Sequence, residues 1–328
     1  MLCPTPAPDP FGMTKWRTHV AKSSGLNTRR ALARATAAAL TAALVATGAS
    51  SAVAADGPGR SASKAPVDTK ASDASKFSAS GQEDYAPING LYGVDSAGDM
   101  WAYVPNGEGG LDSRLYNGYG WENSRFITQV DHDADGFSDG IWDVTGSQLY
   151  YTEWGTDQQL FVGNGWNIYD RLLSTGNLGG AAADDLLARD KSGVLYLYLG
   201  YGNGKLTQRY RVGGGWNTYT HIAGQGDLTG DGKNDIVAKD KSGVLWLYKG
   251  TGNYKAPFTS RTRVGGGWNT YNNIVSVGDI DIDGITDLVA RDKNGALYLY
   301  KGTGNAASPF KSRVKIGSGG WNTYRLMF

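Results

Sequence analysis

The sequence has little that crosslinks or reacts. It holds one cysteine, three histidines and ten prolines in 328 residues. Its cysteine, Cys3, lies in the N-terminal segment treated below, so the rest of the chain has no disulfide, thiolate ligand or cysteine nucleophile. An excess of one charge is missing too. The 32 basic and 31 acidic residues leave a formal net charge of +1, which makes no electrostatic case for nucleic acid. No apolar run reaches the roughly 20 residues that span a bilayer. What is abundant is glycine, at 48, and tyrosine plus tryptophan, at 19 and 10. That many aromatics excludes a disordered chain. That much glycine argues against a helical bundle. Together they point to many short strands joined by tight turns.

Residues 1–55 differ from the rest. Lys15, Arg17, Lys22, Arg29, Arg30 and Arg34 precede an Ala-, Leu- and Val-rich run from Ala35 to Val45. Ala52-Val53-Ala54-Ala55 then offers small residues for cleavage. This order is that of a secretory signal peptide, so the mature chain is expected outside the cell, with no stable membrane insertion. Six of the 32 basic residues and one of the 31 acidic ones lie in this segment, leaving 26 against 30 and a net charge of −4. Residues 56–84 are rich in Ser, Ala, Lys and Asp and read as a flexible linker. With no cysteine left, stapling outside the cell must come from core burial or from metal.

The remainder, 85–328, repeats. A Gly-Trp tag recurs at Trp121, Trp166, Trp216, Trp268 and Trp321, at steps of 45, 50, 52 and 53 residues. Four of the five continue as Trp-Asn-x-Tyr; the first reads Trp121-Glu122-Asn123. An Asp-x-x-Gly turn before an alternating strand recurs as DKSGVLYLY from Asp190, DKSGVLWLY from Asp240 and DKNGALYLY from Asp292, with a weaker copy from Asp95. Within the unit that starts at Asp227, strands are expected at Ile236–Lys239, Val244–Tyr248, Ser260–Val264 and Tyr271–Val277. Four short antiparallel strands in about 50 residues describe one propeller blade. The expected fold is therefore all-β: a five-bladed β-propeller of four-stranded antiparallel blades. The last unit ends just after Tyr324, so its final strand can pair in the first or last blade and remove an open edge. An open β-solenoid is the alternative.

An acidic run is the strongest chemical signal. Asp131, Asp133, Asp135 and Asp139 occupy positions 1, 3, 5 and 9 of a nine-residue loop. Asp279, Asp281, Asp283 and Asp287 repeat the pattern, and Asp227, Thr229, Asp231 and Asp235 do so with threonine at position 3. Four carboxylates so close repel one another unless a cation neutralises them. Calcium accepts six to eight oxygens in flexible geometry, so Ca2+ is the expected cofactor, with Phe137, Lys233 and Ile285 offering position-7 carbonyls. These are not EF-hands: position 12 is Trp142, Ala238 or Ala290 and the loops lead into strands. Zinc lacks nitrogen ligands, His132 being alone nearby. A fourth copy, from Asn177 to Asp185, has no carboxylate at positions 3 and 5 and is expected to bind no metal. The competing reading is solvated turns held by Asx hydrogen bonds. Calcium affinity is expected in the weak extracellular range of about 10⁻⁴–10⁻³ M.

The acidic loop followed by a strand resembles the calcium loop of FG-GAP (VCBS-type) repeats, as in integrin-like propellers, although the FG and GAP residues are absent. Ile316-Gly317-Ser318-Gly319-Gly320-Trp321-Asn322, with its variants at 212–217 and 264–269, resembles the repeat signature of tachylectin-like five-bladed lectins. The resemblance implies a carbohydrate-binding (lectin or adhesion) module for N-acetylated amino sugars, with about one site per blade. The candidate ligand residues are Trp166, Asn167 and Tyr169; Trp216, Asn217 and Tyr219; Trp268, Asn269 and Tyr271; and Trp321, Asn322 and Tyr324. Aromatic faces suit the C–H faces of pyranoses, and Asn donates and accepts to hydroxyl or acetamido groups. The competing reading makes the same motif blade packing.

No nucleophile elbow, zinc-protease helix or dinucleotide loop occurs, and no catalysis is expected. Glu122 and Glu153, both breaks in the repeat, keep a glycosidase carboxylate pair as a third reading. The sequence thus supports a secreted, calcium-binding propeller whose partner is a glycan or extracellular polysaccharide, or alternatively an extracellular protein for which it is scaffold or inhibitor.

Overall fold

A computed structural model describes residues 86–156 and 158–328. The segments assigned above to an export signal and a linker lie outside the described residues. The described chain forms five four-stranded antiparallel sheets arranged as a five-bladed propeller. Blade 1 contains β1 (Leu91–Asp95), β2 (Met100–Tyr103) and β3 (Leu115–Tyr116). Blade 2 is β4 (Ser124–Val130), β5 (Gly140–Thr145), β6 (Gln148–Glu153) and β7 (Gln159–Asn164). Blade 3 is β8 (Tyr169–Ser174), β9 (Leu186–Asp190), β10 (Leu195–Tyr198) and β11 (Tyr210–Gly213). Blade 4 is β12 (Tyr219–Ala223), β13 (Ile236–Asp240), β14 (Leu245–Tyr248) and β15 (Thr262–Gly265). Blade 5 is β16 (Tyr271–Val275), β17 (Leu288–Asp292), β18 (Leu297–Tyr300) and β19 (Val314–Gly317). The last strand, β20 (Tyr324–Met327), crosses back to pair with β1 through Gly93↔Met327, Val94↔Leu326 and Asp95↔Tyr324. Blade 1 is thus built from both ends of the domain, and the ring closes; an open solenoid is excluded. Gly93 makes the closure possible, because a Cβ there would stand 2.5 Å from Cγ of Tyr324.

Strand positions expected from sequence hold to within one or two residues, but the phase of the blade differs. Tyr271 and Val275 bound the innermost strand of blade 5, not a fourth strand of the unit that starts at Asp227. The Trp-Asn-x-Tyr tag therefore does not end a blade; it bridges two. Each tag is one 3₁₀ turn entered through a left-handed glycine, for example Gly267 at φ 88° before Trp268–Thr270.

The apolar core lies in the seams between blades. One seam joins Val130, Trp142 and Leu149 of blade 2 to Tyr169, Leu172 and Leu186 of blade 3, with Trp166 between them. Equivalent clusters fill the next three seams. Cations fasten the seams from the side. Arg189 donates to the carbonyls of Trp216 and Tyr219, Lys239 to that of Tyr271, and Arg291 to those of Trp321 and Tyr324. Arg125 reaches the carbonyl of Tyr169, and Arg325 those of Ser124 and Trp121. Hydrogen bonds to charged donors are worth about 1.5–3 kcal/mol each, so the ring is held by more than apolar contact. The five innermost strands enclose an axial cavity of about 180 Å³.

Candidate functional site

Strand direction sorts the repeat motifs onto opposite ends of the propeller. In blades 2 to 5 the first strand leads into the acidic loop, or in blade 3 into its Asn177–Asp185 counterpart, and the second into the Asp-x-x-Gly turn. The acidic loops thus share one end with the long connections from third to fourth strand, such as 301–313. The Asp-x-x-Gly turns and the Trp-Asn-x-Tyr tags share the other. The two sets of predicted site residues are not brought together.

In the acidic loops, position 1 organises the turn. Asp131 accepts from the backbone N–H groups of Asp133, Ala134 and Gly136 at 2.8–3.1 Å. Asp227 accepts from Thr229, Gly230 and Gly232, and Asp279 from Asp283 and Gly284. Two carboxylate clusters result. In one, oxygens of Asp131, Asp133 and Asp139 lie within 4.8 Å of one another; in the other, those of Asp279, Asp281 and Asp283 do. The second also has an orphan: Oδ1 of Asp281 is buried without a hydrogen-bond partner. An all-oxygen set with an unsatisfied carboxylate oxygen fits a hard divalent cation. Lysines neutralise part of this charge. Lys301 stands 2.6 Å from Asp281 and Lys311 3.6 Å from Asp283. In the Asp227 loop, Asp231 is paired with Lys249 at 2.8 Å, and Thr229 turns its hydroxyl toward Asp227.

Position 9 works differently from its neighbours. Asp235 accepts from the N–H groups of Leu228 and Gly250, and Asp287 from those of Ile280 and Gly302. Asp185, in the loop without an acidic cluster, makes the same bonds to Leu178, Gly179 and Gly200. The residue pins the loop to the third-strand exit whether or not a cluster is present. Asp139 also takes an N–H, from His132, while remaining in its cluster. Asp135 and Asp283 cap the N–H groups of Phe137 and Ile285, and Lys233 follows in the equivalent place. Burial pushes Asp131 and Asp279 up to about 6, and Asp235 and Asp287 up to about 7. Keeping these loops ionised therefore has a cost that a bound cation removes. The His132 ring packs on Tyr151 and Trp142, with centroids 4.8 and 5.8 Å away.

At the other end, the predicted sugar platforms are closed. Trp166, Trp216 and Trp268 are each 6% exposed and Trp321 8%. Tyr169, Tyr219, Tyr271 and Tyr324 are buried too. Each Trp lies 4.3–4.8 Å, centroid to centroid, from a third-strand tyrosine: Tyr198, Tyr248, Tyr300 or Tyr103. The tag tyrosine bonds that same residue hydroxyl to hydroxyl. Of each predicted trio only Asn167, Asn217, Asn269 or Asn322 faces solvent. Asn269 and Asn322 donate to backbone carbonyls of the adjoining Asp-x-x-Gly turns, those of Lys241 and Lys293. The physical reason is the phase shift: a tag that bridges two blades carries its rings into the seam.

Sequence reading missed an arginine that completes each seam. Arg209, Arg261 and Arg313 donate to the hydroxyls of Tyr169, Tyr219 and Tyr271. Each also covers a half-buried aromatic: Arg209 over Tyr196 at 4.5 Å, Arg261 over Trp246 at 4.1 Å, Arg313 over Tyr298 at 4.6 Å and Arg114 over Trp101 at 4.1 Å. The signal was available, since Arg114, Arg209 and Arg261 each precede the tag Trp by seven residues. Between blades 2 and 3 the seam opens into a groove of about 410 Å³, lined among others by Asn164, Trp166, Tyr169, Tyr198, Thr207 and Arg209.

Glu122 and Glu153 are kept apart. In blade 2, Glu153 pairs with Gly140 at one end of the sheet, whereas Glu122 lies beyond Ser124 at the other. Six residues of strand are about 20 Å, well outside the range of a glycosidase pair.

Comparison with known proteins agrees with the fold. Residues 227–290 match the family model described as FG-GAP-like repeat. No curated protein matches the chain. Similar solved structures include the BP39L lectin from Burkholderia pseudomallei, at 10% identity over 71% of this chain and 70% of that one, with a TM-score of 0.45. A mutant of AofleA from Arthrobotrys oligospora matches at 9% identity over 72% and 73%, with a TM-score of 0.42. Prp20p from Saccharomyces cerevisiae matches at 12% identity over 70% of this chain and 61% of its own length, with a TM-score of 0.36.

Proposed function

We propose that this protein is a secreted, calcium-stapled propeller that binds glycans in the grooves between its blades and performs no catalysis of its own. The observation that carries this reading is the groove between blades 2 and 3. Its volume of about 410 Å³ falls in the range of small-ligand clefts, and it combines an apolar floor with a few polar groups. Trp166 and Tyr198 form the floor. Asn164, Thr207 and Arg209 offer donors and acceptors for hydroxyl, acetamido or acidic substituents. Repetition of the seam around the ring makes weak sites useful on a polymer.

Calcium belongs to the other end. Asp131, Asp133 and Asp139 would hold one ion, and Asp279, Asp281 and Asp283 a second. The ion would neutralise buried carboxylates and fix the loop between the two inner strands. The unsatisfied oxygen of Asp281 favours that loop as the tighter site.

A glycan array probed with the protein, in calcium and again in chelator, tests the reading. Binding to sugars is expected, and Thr207→Ala with Asn164→Ala should weaken it. A blank array overturns the glycan reading. If calcium still raised the melting temperature, the calcium proposal would stand and a protein partner would take the glycan's place.

A further inference from the structure

The outer wall of the propeller carries a second repeated device, which the tags did not disclose. In blade 3, Arg209 and Arg211 are two residues apart and so face the same side of the strand. Arg211 is the cross-strand partner of Tyr196, the ring that Arg209 covers. Blade 4 repeats this with Arg261 and Arg263, the latter paired with Trp246. Blade 5 repeats it with Arg313 and Lys315, the latter paired with Tyr298. All six cations are exposed. In blade 1 the positions are Arg114 and Tyr116, and in blade 2 Gln159 and Phe161, so the device fades toward the start of the domain.

These clusters are rich in unused donors. A guanidinium has five N–H groups and no acceptor. Arg209, Arg261 and Arg313 each bond the paired tyrosine hydroxyls of a seam and keep their position over an aromatic ring, which still leaves N–H groups on each guanidinium for a ligand. The nearby turn carboxylates are already engaged: Asp190 caps Ser192 and Val194, Asp240 caps Val244 and bonds Trp246, and Asp292 caps Asn294 and Ala296. With Tyr196, Trp246 and Tyr298 covered by cations, these three rings of the wall offer no open face to a neutral sugar ring. A cation held over a ring with a second one beside it suits an oxyanion, which takes short, charge-assisted hydrogen bonds from both.

We infer that the outer wall of blades 3 to 5 is a three-site binding surface for an acidic polysaccharide, each paired cation cluster taking one carboxylate or sulfate group of the polymer. This rests on the glycan-binding reading and gives the glycan its chemical class. Three equivalent clusters along one wall favour a repeating polymer over a single small anion.

The test uses immobilised alginate and dextran sulfate, with chitin oligosaccharide and dextran as neutral probes and mixed-sequence double-stranded DNA as a second polyanion. The expected result is binding to alginate or dextran sulfate that weakens as salt screens the clusters. The triple variant Arg211→Gln, Arg263→Gln, Lys315→Gln leaves the tyrosine bonds in place and should lose binding by about 100-fold or more, because avidity is lost with the sites. Arg211→Lys with Arg263→Lys should keep most of it. Unchanged affinity in the triple variant, or DNA bound as tightly as the polysaccharides, overturns the inference. Chitin binding untouched by these variants would overturn it while leaving the broader glycan reading intact. Failure to bind any glycan would overturn both.

Discussion

Calcium should raise the melting temperature by an amount that can be divided between two loops. At about 10 mM calcium and a dissociation constant of about 10⁻⁴–10⁻³ M, one site adds about 1.4–2.7 kcal/mol to stability. Two carboxylate clusters converge tightly enough to count, those of Asp131 and Asp279. Together they should contribute about 3–5 kcal/mol, which for a domain of this size moves the midpoint by on the order of 10 °C. Asp133→Asn and Asp283→Asn separate ion binding from loop structure. Each carboxylate caps a backbone N–H two residues on, at 3.3 and 3.1 Å, and an asparagine oxygen can accept the same bond without the charge. Each single variant should lose about half of the calcium-dependent shift in a scanning fluorimetry or calorimetry series, and the double variant nearly all of it. Asp231→Asn should change little, since among the described residues that loop forms no such cluster and Asp231 is already paired with Lys249. An undiminished shift in the double variant, or an equal shift with magnesium, would refute the assignment.

Three smaller effects follow from local geometry. Ile282 is a β-branched residue at φ 58°, where the equivalent positions are Ala134, Gly180 and Gly230; Ile282→Gly should stabilise the protein by about 1 kcal/mol, read as a higher denaturant midpoint, and a lower midpoint would refute the strain. Trp268→Ala should cost about 3–5 kcal/mol because it empties a seam, whereas exposed Asn269→Ala should cost about 1 kcal/mol or less; equal losses would refute the packing role of the tag. Burial raises Asp184 to about 8 and Asp185 to about 7, so the folded state binds more protons than the unfolded one between about pH 4 and 8. Their contribution therefore falls as pH rises through that window, and Asp184→Asn, which can still accept the N–H of Asp131, should flatten urea midpoints measured in chelator between pH 5 and 8. A variant profile as steep as the parent's would refute this.

The repeat made much of this architecture readable. Period, strand identity and closure all follow from Gly-Trp, Asp-x-x-Gly and alternating Leu-Tyr, because each motif reports a local backbone requirement. Phase does not follow from period. A circular repeat has no natural starting point, and only the pairing of β20 with β1 decides that Tyr271 opens a blade instead of ending one. From that one offset comes the burial of Trp166, Trp216, Trp268 and Trp321. The acidic loops were legible at position 1, where the Asx geometry is local. They were misleading at position 9, where Asp235 and Asp287 bond the distant backbone of Gly250 and Gly302. A count of carboxylates cannot separate a ligand from a fastening. Arg209, Arg261 and Arg313 escaped notice because their partners, Tyr169, Tyr219 and Tyr271, stand 40 or 42 residues before them.

The loop end and the outer wall meet most directly in blade 5, and that contact fixes how calcium should influence ligand binding. Lys301 and Lys311 neutralise Asp281 and Asp283, and Lys311 lies two residues before Arg313 in the chain. An ion among Asp279, Asp281 and Asp283 competes with both lysines. A lysine released from the loop adds one positive charge at roughly 7–10 Å from the nearest wall cluster, worth about 0.4–0.6 kcal/mol in water. Calcium should therefore raise affinity for an acidic polymer by a factor of about two to three at low salt, and less as salt screens it. Blade 2 cannot contribute, because its own wall positions are the uncharged Gln159 and Phe161. Lys311→Gln should keep the calcium-dependent melting shift while shrinking the gain in affinity. Titrations of alginate into the folded protein, in calcium and in chelator, decide the matter. A tenfold or greater loss in chelator, with the protein still folded, would mean that the ion shapes the binding surface itself instead of adjusting the charge beside it.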